Sequence, residues 1–234
     1  MLNLNIFKKK FETIEILSFH GLNSSINSNL EIKIKSIIEN ILKNKNLKFN
    51  YSQNLLFGHA PNQTQMSSNT TFQKLINKSI LDLNQFNDKK SKKKVLVATS
   101  TGAYLVLNWL HQNPKNNIDI VILFKPLIDL KYSINFFVKA NPQLASQIKL
   151  DEFELSNKYI YGSEKIPFKI NSKISILLFC GKQDNVVGNK KLLEKKIFGN
   201  LEIFESQNSK HYFESKIEYV ELENFIKKEL ENLV

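Results

Sequence analysis

Three residue types that together can move an acyl group each stand where an apolar run stops. Ser100 ends the run VLVATS and is followed by TGAYL. A serine hydroxyl is a weak nucleophile at neutral pH and needs a base to take its proton. A histidine can be that base, and a carboxylate behind it fixes the tautomer and stabilises the imidazolium. Asp184 follows the run ISILLFC within GKQDNVV, and His211 stands in SKHYF after the short run LEIF. Plainer readings exist for each: Ser and Asp are good turn residues, and a loop histidine can be simple surface. Asp129, beyond IDIVILF, is the rival acid. Cys180 ends a buried run and reads as a core thiol rather than a nucleophile. No group of His, Cys and carboxylates has metal-ligand spacing, and no glycine-rich phosphate loop occurs, so neither metal nor cofactor is expected.

The elements that must position these residues alternate. Thr13–Phe19 is β-rich and runs into His20-Gly21. Leu30–Leu42 carries apolar residues at helical spacing, as does Phe72–Phe86, and Leu47–Tyr51 lies between them as a short strand. The run Lys89–Lys94 reads as a solvated loop before a strand at Val95–Ala98. A helix follows Ser100 to about Gln112, and Pro114 marks its end. Buried strands are expected at 118–124 and 174–180, and a shorter one at 201–204. Helices are expected at about 189–198 and 215–233. This alternation predicts a parallel sheet covered by helices on both faces, an α/β fold. Sites in such sheets lie beyond the carboxyl ends of the strands, where Ser100, Asp184, His211 and His20 all fall.

Bulk properties bound the rest. With 234 residues, 42% of them hydrophobic, the chain can bury one substantial core, and one domain over 1–234 is expected. The only Cys is Cys180, so no internal disulfide can form and a reducing compartment fits. The start, MLNLNIFKKKFE, has no signal-like apolar core, and no window approaches the ~18 apolar residues of a membrane span, so the cytoplasm is expected. The net charge is +11, and all 33 basic residues are Lys. A nucleic-acid binder would use Arg for bidentate contacts, so nucleic acid is not an expected partner. The lysines are a solvated surface, or they draw in an anionic partner such as an acidic carrier protein or an anionic membrane surface.

ATSTG resembles the nucleophile elbow G-x-S-x-G of the α/β-hydrolase superfamily, with Ala98 where the first Gly would stand. The order Ser100, Asp184, His211 is that superfamily's order. GKQDNVV resembles its acid loop and SKHYF its terminal His loop, while FHGLNSS resembles the HGxNSS oxyanion loop of small bacterial serine esterases. The resemblance spans residues 14–213. It implies an α/β-hydrolase fold, a Ser100–His211–Asp184 triad, and an oxyanion hole made by the backbone N–H groups of Leu22 and Thr101. The elbow demands small residues two before and two after the serine, and Ala98 and Gly102 satisfy it. His20 and Gly21 would shape the oxyanion loop. His59, in FGHAPNQT, would line the pocket mouth, or be plain loop. The segment 126–170 falls where the family often inserts a lid. Its Phe136 and Phe137 are candidate pocket residues, and its other aromatics, Phe168 among them, either pack on the core or wall an acyl group.

The resemblance implies hydrolysis of a carboxylic ester through an acyl-enzyme, with a small ester or thioester as substrate. Two alternatives stand beside it: a thioesterase or methylesterase acting on acyl groups of an acidic carrier protein, and a non-catalytic binding protein on a hydrolase scaffold.

Overall fold

The computed structural model describes residues 13–21, 27–54, 72–91, 93–128, 167–187, 190–211 and 215–233. Leu22, His59, Asp129, Phe136 and Phe137 lie outside the described residues, as does the expected lid apart from its two ends. Six strands form one sheet: β1 (Ile14–Phe19), β2 (Phe49–Asn54), β3 (Lys93–Thr99), β4 (Ile120–Phe124), β6 (Ser175–Gly181) and β8 (Asn200–Ser206). Their order is β2-β1-β3-β4-β6-β8, and every pairing is parallel. Two short strands, β5 (Phe168–Lys169) and β7 (Ile197–Phe198), pair apart from it. The helices are α1 (Asn29–Asn44), α2 (Phe72–Asp88), α3 (Ser100–Gln112), α4 (Lys190–Lys196) and α5 (Lys216–Leu233).

The inner strands β3, β4 and β6 are apolar on both faces because both faces are covered. Val95, Val97, Ile120, Ile122, Leu177 and Phe179 point to one side, against α1 and α5. Leu96, Ala98, Val121, Leu123, Ile176 and Leu178 point to the other, against α2 and α3. The period-2 alternation of a strand therefore sorts one continuous apolar run into two cores. Helix α3 is buried from Thr101 to Leu110, unlike an amphipathic surface helix, which matches its continuous apolar sequence.

Two expectations are corrected. The predicted helix at 189–198 stops at Lys196, and Ile197–Phe198 pairs with β5 as a strand. The Lys89–Lys94 run is not wholly a solvated loop. Lys93 and Lys94 begin β3, and Lys94 is buried with its Nζ donating to the Asn87 carbonyl, while Lys89 pairs with Glu15 at 2.9 Å. Phe168 packs edge-on against Tyr104 within the core, so the core alternative holds for this aromatic. His111, near the end of α3, accepts from the Lys169 N–H at 3.0 Å and ties β5 to the helix. Among the described residues no helix is long and apolar enough to cross a membrane.

From β1 the chain moves outward to β2, then crosses back to β3 on the other side of β1. That reversal of strand order lies at the carboxyl ends of β1 and β3, the place where open parallel sheets bind ligands. Phe19 is in register with Ala98 there, so His20 follows level with Thr99 and Gly21 level with Ser100.

Candidate active site

Strand β3 turns into α3 with no intervening loop. Thr99 is extended (φ −116, ψ 141), and Ser100 is forced to φ 47. A left-handed non-glycine residue costs on the order of 1–3 kcal/mol and persists only where the surroundings fix it. Buried β3 on one side and buried α3 on the other supply that constraint. The turn leaves Ser100 partly exposed just beyond the carboxyl end of β3.

The residues flanking Ser100 are small because the space is small. Ala98 is fully buried. A Cβ on Gly102 would come within 2.6 Å of the His20 carbonyl oxygen and 2.7 Å of that of Phe19, so the first turn of α3 lies directly on the end of β1. A Cβ on Gly21 would stand 3.1 Å from Ser100 Cβ, which places the chain beyond β1 against the serine. His20 is buried, with Nδ1 2.8 Å from the Gly21 carbonyl oxygen. Thr101 is buried at the amino end of α3, where the helix dipole favours negative charge.

Ser100 Oγ lies 3.1 Å from His211 Nε2, and His211 Nδ1 lies 3.0 Å from Asp184 Oδ2. Asp184 is buried, and its other oxygen accepts from the N–H groups of Val186 at 2.9 Å and Val187 at 3.0 Å. An ionised carboxylate only accepts, so the Asp184 contact puts the imidazole proton on Nδ1 and leaves Nε2 as an acceptor facing the Ser100 hydroxyl. The three residues come from the ends of β3, β6 and β8, 84 and 27 positions apart in sequence (184 − 100, 211 − 184). The acid and base loops fit together because β6 ends in Gly181, where a Cβ would meet the Ser209 carbonyl oxygen at 2.2 Å. Lys182 N–H donates to the Ser206 carbonyl at 2.9 Å and Gln183 N–H to that of Ser209 at 3.1 Å.

Solved structures share this arrangement of sheet and helices. Est1E from Butyrivibrio proteoclasticus, with ferulic acid bound, superposes at a TM-score of 0.65 and 12% identity over 94% of this chain and 89% of that one. The fold is that of the α/β hydrolases. Mouse alpha/beta hydrolase domain-containing protein 10 superposes at 0.62, with 14% identity over 94% of this chain and 90% of that one. The Pyrococcus furiosus esterase Pf2001 does so at 0.57, with 17% identity over 95% and 81%. No protein-family model matches the sequence, and no curated protein matches it.

Within this α/β-hydrolase fold the site contains residues that the motif reading passed over. Thr99 Oγ1 donates to Glu31 Oε1 at 2.6 Å, directly beneath the Ser100 turn. Glu31 is buried, and that burial pushes its carboxyl up to about 7. Lys125, at φ 46 just beyond β4, and Glu218, in the first turn of α5, form a buried ion pair at 3.2 Å beside the His211 loop. Sequence signals existed for both carboxylates. Ser28-x-x-Glu31 and Ser215-x-x-Glu218 have the spacing of a capping box, and each serine takes its glutamate's N–H, at 3.3 Å and 3.2 Å, with Glu218 taking the Ser215 N–H in return. Lys125 stands out in the sequence as the one charge in IVILFKPLI.

Proposed function

We propose that the protein is a serine hydrolase that cleaves carboxylic esters through an acyl-enzyme. The reading rests on one observation, the continuous hydrogen-bonded chain Ser100–His211–Asp184 beyond the carboxyl ends of β3, β6 and β8. In the first step Ser100 Oγ attacks the ester carbonyl carbon while His211 Nε2 takes the hydroxyl proton. Asp184 holds the imidazole in its Nδ1–H tautomer and balances the imidazolium. The negative charge on the tetrahedral oxygen falls to the backbone N–H of Thr101 at the start of α3, and to that of Leu22. The C–O bond to the alcohol breaks, and the alcohol leaves with the proton from His211. Water then attacks the acyl-Ser100 ester, His211 takes its proton, and the acid departs as Ser100 regains a hydrogen. His20, Gly21, Ala98 and Gly102 give the nucleophile and the hole room and shape.

A fluorophosphonate probe, applied to the wild type and Ser100→Ala side by side, tests this. Phosphonylation of the wild type alone, followed by turnover of a panel of esters and thioesters of graded chain length, is the expected result. A folded wild type that takes no label, or a variant that labels as well as the wild type, overturns it.

A further inference from the structure

The segment beyond β4 touches the proposed nucleophile's main chain and the residue before the proposed base. Leu127 N–H donates to the Ser100 carbonyl at 3.2 Å, holding the nucleophile turn from its main-chain side. Two residues earlier, Lys125 Nζ donates to the carbonyl of Lys210, the residue before His211. Lys125 is itself fixed. Its N–H donates to the Phe179 carbonyl of β6 at 2.7 Å, and its left-handed φ of 46 sends the side chain inward, where it is 2% exposed.

Glu218 closes the other side of the same loop. Its Oε1 accepts from Lys125 Nζ at 3.2 Å and from the Ser209 hydroxyl, and its Oε2 accepts from the Ser215 N–H at 3.1 Å. The residues on either side of the His211 turn are thus gripped by one ion pair. Burying two charges costs several kcal/mol of solvation per ion, and an apolar pair of similar volume is often as stable or more so. A Lys–Glu pair at this spot is therefore poor value as mere stabilisation. It does what an apolar pair cannot: it holds a carbonyl and a hydroxyl of the base loop by directional bonds.

We propose that Lys125, paired with Glu218, is a positioning residue that sets the separation of Ser100 and His211 by holding Lys210 and Ser209 while its neighbour Leu127 holds Ser100. The inference rests on the serine-hydrolase reading for its functional meaning, since Lys125 and Glu218 act only through His211.

The test is Lys125→Met/Glu218→Gln, which removes both charges together and leaves no lone buried ion. Three quantities are read: thermal stability, the maximal rate and half-saturating concentration of fluorophosphonate labelling, and hydrogen exchange of peptides covering 207–211. The expected variant stays folded, exchanges faster at 207–211, and loses on the order of ten- to a hundredfold in maximal labelling rate with little change in half-saturation. Lys33→Met/Glu223→Gln, which removes an exposed 3.0 Å pair between α1 and α5, should change none of these. If the double variant does not fold, Ser209→Ala, which removes the hydroxyl that contacts Glu218 and the Lys210 carbonyl, is read the same way. A folded variant with wild-type exchange at 207–211 and wild-type labelling overturns the proposal. Should the wild type itself not label, the hydrolase reading fails, and the exchange at 207–211 alone decides whether Lys125 and Glu218 grip the loop.

Discussion

At the scale of single residues, Asp184 has the geometry of the acid, and its rival can be separated from it by substitution. Asn at 184 can still fill the space, but its amide can present a donor where His211 needs an acceptor, which favours the wrong tautomer. Asp184→Asn should lower ester turnover by about 10³–10⁴-fold with little loss of stability, whereas Asp129→Asn should leave turnover within about threefold. Steady-state kinetics of the two variants checks this, and the opposite ranking would remove Asp184 from the mechanism. Glu31 makes a prediction about pH. Its folded pKa is raised by burial from an ordinary 4.5 to about 7. Between these values the folded state holds a proton that the unfolded state has released. Stability from this group is therefore full below about pH 4.5 and is lost as pH rises to about 7, by up to an order of 3 kcal/mol. Glu31→Gln keeps an acceptor for Thr99 and should flatten that part of the stability profile, measured by urea unfolding at several pH values. Cys180 belongs at this scale too: burial pushes its thiol up to about 12, so alkylation of the folded protein should be slow, as expected of a core cysteine.

At the scale of elements, the site depends on loops that approach one another more closely than side chains allow. Gly181 is the sharpest case, since any Cβ there must push the Ser209 backbone, and with it the His211 loop, away from β6. Gly181→Ala should cost about 1–3 kcal/mol of stability and lower the labelling rate of Ser100 by on the order of ten- to a hundredfold. A variant that is destabilised but fully reactive would show that the two loops keep their contact by another route. The elements themselves were legible because their signals are local. Runs such as IDIVILF and ISILLFC are too short for helices and too apolar for half-exposed strands, and each is followed by a polar residue where a parallel sheet puts its chemistry. Ser100, Asp184 and His211 could be picked out for that reason. Lys125 and Glu218 could not be paired from sequence, because they lie 93 positions apart on different elements. Ile197–Phe198 reads as the end of a helix because the Lys-rich stretch before it is helical, and only the neighbouring β5 makes those two residues a strand.

At the scale of the whole molecule, the two-faced sheet explains how a chain with few glycines and one tryptophan builds a rigid platform, but its charge does not follow from the fold. The sequence carries +11, all of it from lysine over acid, and a field of that sign can raise the local concentration of anionic partners. Exposed pairs such as Lys228–Glu202 and Lys43–Glu39 contribute little to stability, so much of this charge is available to solution. If the substrate is a small neutral ester, the field acts on nothing in the rate-determining encounter. Turnover of such an ester should then stay within about twofold as salt rises from about 0.05 M to about 1 M, a range over which the screening length falls from more than 10 Å to about 3 Å. An acyl group presented on an acidic carrier would behave differently, because its capture would depend on the lysine surface and weaken steeply over the same range. Measuring kcat/KM for a neutral ester and for an acidic carrier-linked thioester across one salt series distinguishes these substrates. A neutral ester with flat, high kcat/KM supports the small-molecule reading. Efficient turnover confined to the carrier-linked substrate, and lost at high salt, would move the physiological substrate from free esters to protein-bound acyl groups while leaving the chemistry at Ser100 unchanged.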